Sequence, residues 1–202
     1  MQRQITGILC VWIAALALWA STESPHWIVG ERGAGGLTQV APCFEGNCPT
    51  ASYERFDEVA AWLNPLNNSL SPREGERLFV MLGRLTESAS QVTALVLMLT
   101  GMVGLLGFGL NGPLSAPRVS LLLLSSVLIF SLGFISTVPT GNVLGRLLLH
   151  GEPGPGYSLS LFAVLIGAFG SALVWQPIRK ANEAMPNQRL HQGVDLSTGL
   201  HS

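Results

Sequence analysis

The sequence predicts an integral membrane protein, an all-α bundle of four spans with one large, structured loop on the non-cytoplasmic side. Three observations lead there. Of the 202 residues, 48% are hydrophobic and only 11% charged, with mean hydropathy +0.42, whereas a soluble domain is roughly 25% charged. The charges are also segregated: residues 5–20, 88–117, 119–145 and 154–178 contain none. Finally, a long polar stretch carrying Cys43 and Cys48 separates the first apolar run from the second. A formal net charge of −1 leaves no basic field for nucleic acid, so that class of partner is excluded.

A helix crossing a hydrocarbon core about 30 Å thick needs roughly 20 apolar residues. Residues 92–110, 119–138 and 157–178 meet that length without a charge. They are expected to be helical because lipid offers no partner to backbone N–H and C=O groups. The first run, residues 5–20, is shorter. Arg3 ahead of it and Ala15-Leu16-Ala17 within it also fit a cleavable secretory signal. Bulky Trp12 and Trp19 favour a retained helix, with Trp19 suited to an interfacial belt. Either way the following loop leaves the cytoplasm.

Arg179-Lys180 directly after the fourth run, with Trp175 just before it, marks the inside. Both termini are therefore placed in the cytoplasm, in a plasma membrane or a bacterial inner membrane. Residues 1–180 are expected to form a single membrane domain with the outer loop, 21–90, packed on its bundle. The polar tail, 181–202, reads as disordered.

Membrane helices pack through small residues that let backbones approach. Ala163, Gly167 and Ser171 form such a stripe in the fourth span, widened by Gly170, and Gly101 and Gly104 belong to a glycine-dense second span. These residues serve packing within one left-handed bundle, or else dock a partner protein. No Asp, Glu, Lys, Arg or His falls inside the predicted spans, which argues against a pump or secondary transporter.

The outer loop has structure written into it. Trp27-Ile28-Val29 and Leu37-Thr38-Gln39-Val40 read as short strands broken by a flexible Gly33-Ala34-Gly35-Gly36. Cys43 and Cys48 flank a turn-forming stretch. Folding back at Gly46 would bring their Cα atoms within the roughly 4.4–6.8 Å a disulfide requires; the alternative is two free thiols. Tyr53, Phe56, Val59, Ala60 and Leu63 recur at helical spacing and predict a short amphipathic helix. Asn67-Asn68-Ser69 matches an N-glycosylation acceptor. Ser71-Pro72-Arg73-Glu74 is a capping box with proline at its proper place, so the second helix should start near Pro72. Leu78, Met81, Leu82 and Leu85 would then support the loop's strands. In the second outer segment, Pro153-Gly154-Pro155-Gly156 is expected to be a stiff, non-helical lead into the last span.

The loop holds nine acids against five arginines. Such an excess usually makes a solvated surface; Glu45, Asp57 and Glu58 are the residues that could select cations.

With this order of elements the chain resembles the claudin and peripheral myelin protein superfamily, which carries a W…G-L-W…C…C pattern in its first loop. The matching residues are Trp27, Gly36-Leu37, Cys43 and Cys48, followed by Tyr53. Gly156-Tyr157-Ser158 is similar to that family's entry into its last helix. Thr38 stands where the family has its second tryptophan, and the cysteines are closer together than usual. The resemblance implies a four-helix bundle topped by a small antiparallel sheet pinned by Cys43–Cys48. It also implies roles in adhesion, barrier formation or as an accessory subunit.

The functional expectation is a non-enzymatic interaction protein that presents its outer loop to another membrane protein or to a second copy of itself. The alternative is a channel or paracellular pore component with cation preference. His26, His150, His191 and His201 lack metal-ligand spacing, and neither a nucleophile elbow nor a phosphate loop occurs. No enzyme, cofactor or metal is expected.

Overall fold

The computed structural model describes residues 2–43, 48, 50–52, 74–105, 116–138, 144–145 and 151–195. Four long helices dominate: α1 (Gln2–Thr22), α2 (Glu74–Leu105), α3 (Ala116–Ser136) and α4 (Pro155–Asp195). Each contains a stretch long and apolar enough to cross a membrane, namely Arg3–Thr22, Arg77–Leu105, Pro117–Ser136 and Pro155–Trp175. Their outward faces carry large apolar side chains, among them Leu9, Leu16, Leu122, Ile129 and Leu165. Lipid tolerates that surface; water would not.

The helices form a ring in which α1 packs on α2 and α4, and α3 packs on the same two. Small residues make the approach possible. A methyl built on Gly170 would lie 2.8 Å from the Gly7 carbonyl oxygen and 2.9 Å from Cys10 Cβ. No side chain fits there, so α1 and α4 touch backbone to backbone. One layer further in, Val11, Ala14, Ala15 and Leu18 of α1 are buried with Ala94 and Leu97 of α2, Leu124 and Val127 of α3, and Ala163 and Val164 of α4. Hydroxyls add a polar tie: Thr100 donates to the Val96 carbonyl at 2.7 Å and its oxygen lies 3.3 Å from that of Ser120 on α3.

Above the bundle lies a five-stranded antiparallel sheet of order β4-β3-β2-β1-β5. Its strands are β1 (Ile28–Gly30), β2 (Gly33–Gly35), β3 (Gln39–Pro42), β4 (Ala51–Ser52) and β5 (Glu152–Pro153). The glycine segment expected to be a flexible break is thus a strand: Gly35 pairs with both Ile28 and Val40, and Ala34 with Val29 and Ala41. Glycine weakens a strand through its lost entropy. Pairing along both edges offsets that cost.

Two further expectations are corrected. Pro153 extends the sheet rather than forming a spacer, pairing opposite Ile28, and Pro155 and Gly156 are already helical. Proline is tolerated in a first turn because its missing N–H would have no intrahelical partner there. The strands also do not rest on Leu78, Met81 and Leu85, which are 44%, 52% and 40% exposed. The supporting face is that of Phe79, fully buried, and Gly83, where any side chain would collide with the Leu37 carbonyl. Leu82 alone of the expected four packs partly against this core.

The apolar stretch of α2 begins well ahead of residue 92 and so includes Arg84 and Glu87 near its outer end. There Glu87 is within electrostatic reach of Glu23 and Arg84. The helix described from Glu74 leaves the Pro72 cap outside the described residues, together with the amphipathic segment 53–63. Beyond Trp175, α4 continues to Asp195, through much of the tail that composition marks as disordered. Arg179, Lys180, Ala181, Glu183, Ala184 and Met185 are helix formers that explain its first turns.

Gly170→Leu should drive α1 from α4 and destabilise the fold by at least about 1–3 kcal/mol, the usual cost of overpacking. Leu165→Ala, on a side chain 72% exposed, should leave stability nearly unchanged. Thermal unfolding in mild detergent separates the two.

Candidate functional site

The site that the fold builds is its outer cap, and Trp27 holds it in place. The indole is fully buried, and its Nε1 donates to the Ser21 carbonyl at 2.6 Å. Ser21 belongs to the last turn of α1, whose carbonyls have no partner within the helix. The indole thus caps α1 while plugging the bundle. Its ring meets Phe134 of α3 edge-on at 5.9 Å and Tyr157 of α4 at 6.1 Å. Phe79 of α2 lies 4.4 Å from Phe134. All four helices therefore converge on one aromatic cluster, completed by Ile28, Leu37, Val40, Val138 and Leu144.

Backbone hydrogen bonds tie the two outer segments to this plug. Trp27 N–H donates to Gly35 at 2.9 Å, while its carbonyl accepts from Gly154 at 2.7 Å. Gly156 N–H donates to His26 at 3.0 Å, and Gly36 N–H to Gln39 at 2.7 Å. Trp27, Gly36 and Leu37, singled out by the family motif, are all buried at the base of the cap. Their part is architectural.

Cys43 and Cys48 form a disulfide, with a Cα separation of 4.1 Å. It stands at the end of β3, beside the β1–β2 turn, because Cys43 N–H donates to the Arg32 carbonyl at 2.8 Å. The fold-back at the cysteines is matched by β3–β4 pairing, Val40 opposite Ala51 and Gln39 opposite Ser52. Cys10, within α1, is a free thiol.

Of the glycines read from sequence as packing residues, Gly101 and Gly167 are buried and Gly104 is exposed. Gly167 sits against Ala14 and Leu124, Gly101 against Trp12, and Gly104 against Ile8. Ala163 and Ser171 are buried. Glu45, Asp57 and Glu58, the candidate charge-selective residues, lie outside the described residues, as do Asn67 and His150.

What the cap presents to water is polar and mixed in charge: His26, Glu31, Arg32, Gln39, Ser52 and Glu152, with Val29 protruding among them. Among the described residues no cluster of three His, Cys, Asp or Glu side chains could hold a metal ion. The part of the site missed in sequence is β5. Two residues of strand offer no periodicity; the nearest signal was the proline-glycine run that ends it. No protein-family model and no curated protein matches this chain.

Removing Trp27 should cost more than removing the disulfide. Trp27→Ala should destabilise by about 3–5 kcal/mol, as large aromatic truncations do. Cys43→Ser with Cys48→Ser opens a loop of sequence separation 5 and should cost about 2 kcal/mol by loop entropy. Thermal melts with and without reductant check both the order and the redox dependence.

Proposed function

We propose that this chain is a non-enzymatic, multi-pass membrane protein that presents its cap to a protein neighbour, in the same membrane or an opposed one. One observation carries the reading. Segments from two distant parts of the chain, β1–β4 and β5, are knitted into one sheet seated on α2, α3 and α4 and tied to α1 through the Trp27 indole. A bundle that merely anchored a chain in lipid would not need a braced outer surface. A rigid, wet, mixed-charge face suits recognition, because preorganisation cuts the entropy lost on binding. The likeness to the claudin and peripheral myelin protein layout supports the same reading, with adhesion, barrier formation and an accessory subunit as the roles it suggests.

The test is a set of surface substitutions on the full-length protein in mild detergent or nanodiscs. Glu31→Arg, Arg32→Glu and Glu152→Arg together should abolish co-purification of the native neighbour, or self-association, while the melting temperature stays within a few degrees. A wild-type particle that is strictly monomeric and partnerless, or an association untouched by these changes, rejects the proposal.

We further propose that α1 is retained, with both termini on the cytoplasmic face. Ala15 of the A-x-A sequence is fully buried between neighbouring helices, as are Ala14 and Leu18. Cleavage would remove a quarter of the ring. The intact mass of the membrane-extracted protein should include residues 5–20; a mass lacking them overturns this placement.

A further inference from the structure

Four buried hydroxyls have no hydrogen-bond partner among the described residues: those of Ser90 and Thr93 on α2, Ser131 on α3 and Ser171 on α4. Each of these residues is at most 1% exposed. Residue type does not account for them. Elsewhere in the bundle the hydroxyls of Ser21, Thr86, Thr100 and Ser160, and of the outward-facing Ser125, donate to a carbonyl of their own helix. A hydroxyl left without a partner in an apolar interior is costly, and native proteins satisfy nearly all of them.

Ser171 stands apart, beside the Gly7–Gly170 contact near the far end of the bundle. The other three gather beneath the aromatic plug. Gly83 of α2 meets the Phe134 ring of α3, and further down Thr100 meets Ser120, so these two helices run antiparallel. Ser90 follows Gly83 by seven residues and Ser131 precedes Phe134 by three, which sets Ser131 about one turn nearer the cap. Side chains lean toward the N-terminus of their own helix. Ser90 therefore leans toward the cap and Ser131 away from it, and the offset closes. Thr93 lies one turn below Ser90 on the same face. The remaining helices complete the level. Ser160 follows Tyr157 by three residues, and the Tyr157 and Phe134 rings both touch Trp27. Ser21 ends α1 where its carbonyl accepts the indole N–H. Ser21 and Ser160 are buried too, and each oxygen keeps lone pairs free. Below, Ala14, Leu97, Leu124 and Val164 make an apolar layer.

From this arrangement we propose that the level formed by Ser21, Ser90, Thr93, Ser131 and Ser160 binds ordered water inside the bundle, with one molecule shared by Ser90 and Ser131. A buried water needs two to four polar partners, and hydroxyls can both donate to it and accept from it. All five residues are neutral, so nothing in the set would offset the desolvation of an ion. The shared water ties α2 to α3 in place of a direct bond. The site does not depend on what the cap recognises.

Two measurements on the full-length protein in mild detergent test it. X-ray hydroxyl-radical footprinting oxidises side chains that lie beside water. Corrected for intrinsic reactivity, the buried Phe134 ring, one turn above Ser131, should be oxidised roughly tenfold faster than the equally buried Leu124. In Ser90→Ala/Ser131→Ala that excess should vanish. In thermal melts, Ser90→Ala and Ser131→Ala should each lower Tm by about 2–4 °C. The double variant should lose clearly less than the sum, because both residues act through the same water. Phe134 as unreactive as Leu124, or oxidised equally in the double variant, would overturn the site. So would single variants that melt at or above the wild type, the outcome expected when an unpartnered hydroxyl is simply removed, or losses that add in full.

Discussion

A single buried indole governs how the outer and membrane parts of this protein fit together. Trp27 donates its indole N–H to the Ser21 carbonyl at the end of α1, which also accepts from Ser24 N–H; left unpaired in an apolar interior, that indole N–H would cost about 1–3 kcal/mol. Its ring fills the space between Phe134 and Tyr157, and its own backbone starts β1 and accepts from Gly154. The same residue therefore ends a helix, closes a bundle and begins a sheet. Its neighbours are constrained accordingly. The chain must arrive beside α2 where Gly83 leaves room for the Leu37 carbonyl, and beside α4 where Gly156 faces the indole.

Below that plug the bundle follows a different rule. Apolar side chains gain little by exchanging lipid for another helix, so the helices are held by close backbone approach. The Gly7–Gly170 contact and the Ala14–Gly167 contact lie along one seam of α1 and α4. Hydroxyls at Ser21, Thr22 and Ser160 turn back onto carbonyls of their own helices, which lets polar residues be buried inside the bundle. Ser90, Thr93, Ser131 and Ser171 are buried without such a bond. Their small size serves the packing. The result is a bundle whose interior, among the described residues, is polar in small ways only, and whose two ends differ in character. One end is covered by a braced, mixed-charge sheet, and at the other the Arg118 guanidinium stacks over the Trp175 ring.

Much of this was legible in the residues. Apolar runs near bilayer length, a cysteine pair spaced for a hairpin and the tryptophan of the first loop were all visible, because each depends on the local chain and its solvent. Gly101 and Gly167 are buried where helices meet, while Gly104 is exposed. What escaped was everything set by a distant partner. The glycine segment 33–36 looks like a hinge until β1 and β3 are known to flank it. The strand at Glu152–Pro153 is invisible without β1 beside it. The choice of Phe79 and Gly83 over Leu78, Met81 and Leu85 as the supporting face turned on a carbonyl that belongs to another segment.

Partition between lipid and water is additive along the chain, so the sequence by itself determined that there are four apolar helices, with a cystine-bearing segment between the first two. Pairing and facing are not additive. A strand of two residues, or a glycine under a carbonyl, has no stability until its neighbour arrives. For that reason only the tertiary structure decided that β1–β4 and β5 share one sheet and that Trp27 joins all four helices beneath it.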